Sequence, residues 1–147
     1  MEIKSCENFN RKNIRKRIVL ELSKVNTYYG EYHAVRDVSL KVEAGNLFLI
    51  VGPNGHGKST LLKTICGLIP AASGSIVFQG EDITRWSTHE IVAAGLVYVA
   101  EARHLFPDMT VLQNLQLGAF NAGARKKIKD NLDYVYLIFP RLKDMSN

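Results

Sequence analysis

Gly52-Pro53-Asn54-Gly55-His56-Gly57-Lys58-Ser59 has the spacing of a phosphate-binding loop, a glycine and four residues followed by Gly-Lys-Ser. Its flanks agree with that reading. Asn46-Leu47-Phe48-Leu49-Ile50-Val51 is an almost unbroken apolar run, which predicts a buried parallel strand. Ser59 to Cys66 places Leu61, Leu62 and Ile65 at helical spacing, and Gly67 stops the pattern. The loop therefore joins a strand to a helix N-terminus, where the backbone dipole favours anions. Average residue frequencies give on the order of 1% or less for a chance match in a chain of this length.

The residue types match the needs of a polyphosphate. Closely spaced negative charges require many donors and no side chains in the way. Gly52, Gly55 and Gly57 let backbone N–H groups approach the oxygens. Lys58 supplies a compact, mobile cation for the terminal phosphates. The Ser59 hydroxyl is the expected protein ligand of Mg²⁺, an ion that keeps most of its shell as water and phosphate oxygen. Pro53, Asn54, His56 and Thr60 complete the stretch read as nucleotide-binding. This pattern selects a nucleoside triphosphate with Mg²⁺ but not the base.

The chain has 147 residues, 46% hydrophobic and 22% charged, enough for one globular domain. No apolar run is long enough to span a bilayer, and the N-terminus lacks the apolar stretch of a secretion signal. Cys6 and Cys66 alone indicate neither a disulfide framework nor a thiolate metal site, which fits a reduced, cytoplasmic setting. The net charge of +5 is concentrated at one end. Lys4, Arg11, Lys12, Arg15, Lys16 and Arg17 face only Glu2 and Glu7, so residues 1–17 read as a basic, disordered extension. A weak attraction of this segment to an anionic membrane surface is the second reading. Residues 18–147 are almost neutral, which argues against a nucleic-acid partner.

Residues 18–26 alternate and residues 35–42 follow without an intervening helix, predicting an antiparallel pair. Ser73-Gly74 is a turn signal, residues 75–78 a short strand, and Gly80 its end. Ser87 with Glu90 and Thr110 with Gln113 have capping-box spacing, opening helices over 88–94 and up to Leu117. Leu96-Val97-Tyr98-Val99-Ala100 predicts an apolar strand. Residues 125–139 form an amphipathic helix pattern that Pro140 is expected to end. His33, His89 and His104 show no metal-ligand spacing, and Trp86 reads as a packing residue.

Taken in order, Tyr28-Tyr29-Gly30, Val38-Ser39-Leu40, the loop, Ser73-Gly74-Ser75-Ile76, Gly80-Glu81-Asp82-Ile83 and the stretch from Phe106 to Asn114 resemble the N-terminal portion of an ABC transporter ATP-binding subunit. Glu101 where most members carry Gln, then Leu105-Phe106-Pro107, Met109-Thr110-Val111 and Phe139-Pro140-Arg141-Leu142, are similar to the ATP-binding subunit of branched-chain amino-acid or urea/amide importers. The resemblance implies an α/β fold of the P-loop NTPase, ABC type, in incomplete form. It consists of an N-terminal antiparallel β subdomain, part of the parallel core sheet, and the start of the helical subdomain over residues 103–147. It also implies ATP and Mg²⁺ as cofactors. Tyr29 is the aromatic that stacks on adenine, with Tyr28 competing for the role. Glu101 is a coupling residue that reaches Mg²⁺ or the attacking water. His56 departs from the small residue often found at its position and reads as an outward side chain.

The same resemblance implies transmembrane permease subunits and a second ATP-binding subunit as partners, at the cytoplasmic face of the membrane. The Leu-Ser-Gly-Gly signature, the later Walker B strand with its Asp and catalytic Glu, and the switch His do not occur in residues 1–147. The expectation is a chain truncated before the signature that binds ATP without normal turnover. A truncated, non-catalytic nucleotide-binding or interaction module is the alternative. A GTPase would need Asn-Lys-x-Asp for guanine, which is absent, and the order of the blocks opposes a small kinase.

Overall fold

A computed structural model describes residues 17–101 and 104–146. Most of the basic segment, with Cys6, lies outside the described residues, as does Arg103 of the expected helical subdomain. The chain divides into two compact units, one ending at Tyr98 and one beginning at Val99.

The first unit is built on an antiparallel sheet. β1 (Ile18–Tyr29) and β2 (Tyr32–Glu43) form a hairpin. Its tight turn contains Gly30 at φ +57°, in the region a Cβ disfavours. β3 (Ser73–Phe78) pairs with the other edge of β1, and β4 (Glu81–Asp82) pairs with β3, giving the order β2-β1-β3-β4. Leu22 sits opposite Leu40 on one side and Ile76 on the other. Leu22, Val25, Val35, Ile76 and Phe78 bury a common core with Leu61 and Ile65 of α1 (Lys58–Ile65) and with Ile83 and Ile91. Burying each such side chain stabilises by about 1.5–3 kcal/mol. Thr64 Oγ1 donates to the Thr60 carbonyl, so the Thr27 hydroxyl donates to Thr64 at 3.0 Å and ties β1 to α1. Gly67 at φ +69° terminates the helix as expected. α2 (Thr88–Ala93) carries the expected capping box, and the Ser87 donors hold the Glu90 carboxyl below its ordinary range.

A polar knot replaces apolar packing where β1 bulges. Asn26 is only 8% exposed and every side-chain donor and acceptor is used. Its two Nδ2 protons are shared among the Lys24 carbonyl, Asp37 Oδ1 and Ser73 Oγ. Its Oδ1 accepts from the Asp37 backbone N–H and from His33 Nε2, which therefore carries the proton. Asn26→Ala would orphan several of these groups, at about 1–3 kcal/mol for each that stays buried. A fall in Tm of about 10 °C is expected in a thermal melt; an unchanged Tm would show that water replaces the amide.

Two expectations are corrected. Residues 46–51 are expected as a buried parallel strand and residues 96–100 as an apolar strand, and neither is in a ladder. Among the described residues the sheet is wholly antiparallel. Hydrophobicity marks a segment for burial, but a parallel strand also needs neighbours at its edges, and no described strand pairs with these. Ile50 and Leu96 still pack on the core. Leu47, Leu49 and Val51, in alternation, are 97%, 77% and 77% exposed.

The second correction concerns the helix expected over 125–139, which is two helices, α4 (Ala122–Lys126) and α5 (Ile128–Ile138). Asn121 caps the first by accepting from the Ala124 N–H, and Lys127 at φ −113° breaks the run. Pro140 ends α5 as expected, and it also opens α6 (Pro140–Asp144) from its first position, where a missing N–H costs nothing. These helices belong to the second unit with α3 (Val111–Leu117), whose Thr110–Gln113 capping box is as expected. Asn114 pins the preceding loop, accepting from the Phe106 N–H and donating to the Phe106, Met109 and Thr110 carbonyls.

Candidate nucleotide site

The phosphate-binding loop begins where residues 46–51 leave the core and ends as the cap of α1. Gly55 and Gly57 stand at φ +82° and +79°, so two of the three glycines use conformations that side chains resist. Gly57 is also pressed against the hairpin, because a Cβ there would lie 2.4 Å from the Ala34 carbonyl oxygen. No such crowding exists at Gly52 or Gly55. The freedom of Gly55 therefore serves the loop's path, whereas Gly57 also serves packing.

Lys58 is the first residue of α1. Its ammonium donates to the Gly52 carbonyl at 2.8 Å and the Pro53 carbonyl at 2.7 Å. It bridges back across the loop and holds a positive charge over the loop's centre. Ser59 and Thr60 follow in the first helical turn, which contains no acidic residue to offset the N-terminal dipole.

The loop forms one wall of a cavity of about 770 Å³. β2 forms another through Tyr32, His33 and Arg36. Among the described residues no carboxylate lines it, while Arg36 and Lys58 do. Backbone amides, cationic side chains and the absence of acids suit a polyphosphate anion. Among the described residues no group of His, Cys, Asp and Glu is arranged to hold a metal by itself. Mg²⁺ at this site would rest on a hydroxyl and on the nucleotide's own oxygens, as the loop chemistry requires.

Gly52, Gly55, His56, Gly57 and Lys58 line the cavity together. Tyr29 does not; it is exposed at the end of β1. Tyr28 stacks on His33 with centroids 4.1 Å apart. Glu101 is exposed and belongs to the second unit. Sequence reasoning missed His33 and Arg36 as wall residues. Strand alternation places residues on faces, but which face meets the loop depends on the contact between Gly57 and Ala34. Cys66 is buried, and burial pushes its thiol up from the usual range, so it is unsuited to nucleophilic work at neutral pH.

The family model described as ABC transporter matches residues 35–145. The chain belongs to the ABC transporter family. Over 126 residues this ABC chain is 40% identical to the high-affinity branched-chain amino acid transport ATP-binding protein BraG of Pseudomonas aeruginosa, a match covering 86% of the chain and 54% of BraG. It is 34% identical over 125 residues to the probable branched-chain amino acid transport ATP-binding protein LivF of Archaeoglobus fulgidus, covering 85% of the chain and 52% of LivF. A solved ATP-binding cassette of an ABC transporter superposes with a TM-score of 0.72 at 30% identity, over 88% of this chain and 56% of the cassette. The ABC chain thus spans about half the length of the relatives it matches. The P-loop NTPase fold expected from the sequence is the fold of these cassettes, and no described helix is long and apolar enough to cross a membrane.

Proposed function

We propose that this ABC chain is the ATP-binding front portion of an importer's energy-coupling subunit, and that the solutes served are branched-chain amino acids. The loop carries the first part of the proposal: two left-handed glycines, a bridging lysine and a helix start without acids, on a cavity that no carboxylate lines among the described residues. The similarity to BraG and LivF supports the second part. The partners proposed are transmembrane permease subunits and a second ATP-binding subunit, at the cytoplasmic face of the membrane.

In this reading backbone N–H groups within residues 52–60, Pro53 having none, and the Lys58 ammonium hold the triphosphate, and Ser59 would hold Mg²⁺. When bound, the metal would neutralise part of the negative charge of the triphosphate. Tyr29, exposed at the strand end, stacks on the adenine, and Glu101 takes the coupling role. The activity proposed for residues 1–147 is binding of the triphosphate by this loop.

Calorimetric titration with ATP, with and without Mg²⁺, tests the proposal. Binding is expected in both conditions, tighter with the metal. Ser59→Ala should remove most of the metal-dependent gain, about tenfold if one ligand contact of about 1.4 kcal/mol is lost. Absence of any ATP heat at high protein concentration would overturn it.

A further inference from the structure

We propose that the polar cavity at the β1 bulge binds a small zwitterion, an α-amino acid held through its ammonium and its carboxylate. The inference goes beyond the ATP-binding reading. Among the described residues this cavity shares only Ser39 with the nucleotide site.

Lys24 of β1 and Asp37 of β2 stand at φ +47° and +44°, and both line this cavity of about 570 Å³. Left-handed backbone is costly for a residue with a Cβ, and glycine would relax both positions. Lysine and aspartate put charge there instead. Both lie where the β1–β2 pairing slips, Lys24 between Leu22 and Val25, and Asp37 between Val35 and Val38. A bulge re-aims the side chains it carries. Among the described residues Lys41 and Glu21 form an ion pair, whereas Lys24 and Asp37 are in none.

The rest of the lining sets the polarity of each contact. Ser39 Oγ accepts from the Lys24 backbone N–H at 2.9 Å, and Ser73 Oγ accepts from Asn26 Nδ2 at 3.1 Å. With these oxygens engaged by the protein, both hydroxyl protons are turned to a further acceptor. The buried Asn26 amide also donates to Asp37 Oδ1 at 2.9 Å, so one group fixes the carboxylate and the Ser73 hydroxyl together. A ligand carboxylate matches the two hydroxyls and Lys24, and a ligand ammonium matches Asp37. A simple anion would face Asp37 and a simple cation Lys24, whereas a molecule with both charges satisfies both. No apolar side chain lines the cavity, so glycine suffices and a leucine side chain gains nothing.

The test is titration of the full chain with glycine, acetate, methylamine and leucine, followed by NMR of the Lys24, Asp37 and Gly74 backbone amides. Glycine is expected to shift these amides in a saturable way in the millimolar range, and leucine to bind no more tightly. Acetate and methylamine, each with one of the two charges, should bind about tenfold more weakly or worse. Lys24→Asn, a residue that tolerates left-handed backbone, should weaken glycine about tenfold. Asp37→Asn keeps an oxygen for Asn26 and should do the same. Glycine shifts absent from these amides, or matched by acetate or methylamine, would overturn the proposal. So would full glycine affinity in Lys24→Asn, an exposed position where folding is not at stake. ATP binding is expected to be the same with and without glycine, so failure here leaves the nucleotide reading intact.

Discussion

Lys58→Ala is expected to lower ATP affinity by about 10- to 100-fold, the equivalent of losing one charge-assisted contact. The ammonium has three protons, two of which brace the loop through the Gly52 and Pro53 carbonyls. Alanine removes that brace and the cation facing the phosphates at once. It is also the best helix former, so α1 should keep its length and the Tm should hold. Loss of binding with an unchanged melt assigns the effect to the site. Lys58→Arg should fail as well, because a planar guanidinium does not replace a compact ammonium that turns between carbonyls and phosphate. Calorimetric titration of ATP at fixed pH and Mg²⁺ reads the result. Retention of full affinity by Lys58→Ala would mean that the amides alone hold the nucleotide.

Gly57→Ala is expected to produce the largest loss of stability of any single methyl added to the loop. A side chain at φ +79° costs about 1–2 kcal/mol before any contact is counted. The added carbon would lie 2.4 Å from the Ala34 oxygen, a backbone atom in β2 that cannot swing away. Relieving that overlap means lifting the loop and the start of α1 off the hairpin. A total of about 3 kcal/mol and a fall in Tm of about 10 °C are expected. Gly55→Ala is the control. Its φ is +82°, but nothing lies within 4 Å of the new carbon, so only the conformational cost of about 1 kcal/mol should appear. Equal melts for the two variants would show that the contact between the loop and Ala34 carries no stability.

Local chemistry was legible in the sequence wherever a short pattern dictates a local geometry. The two capping boxes, the Gly67 stop, the hairpin and the sequence context of Lys58 all follow from residue type and spacing. Long-range pairing was not legible. Residues 46–51 have the composition of a core strand, yet composition does not supply the neighbouring strand a ladder requires. Lys127 was hidden for a different reason, because apolar spacing continues through a one-residue break that Asn121 and its capped turn impose. In the site, the loop pattern identified the phosphate cradle, while the walls contributed by His33 and Arg36 emerged only once Gly57 was seated against Ala34.

The most direct test is to follow the backbone amides of the loop by nitrogen-15 NMR while ATP is added. The largest shifts are expected at Gly55, Gly57, Lys58 and Ser59, saturating together, with the midpoint moved to about 10- to 100-fold higher ATP in Lys58→Ala. Shifts confined to residues outside 52–60, or none at saturating ATP, would contradict a triphosphate cradled by this loop.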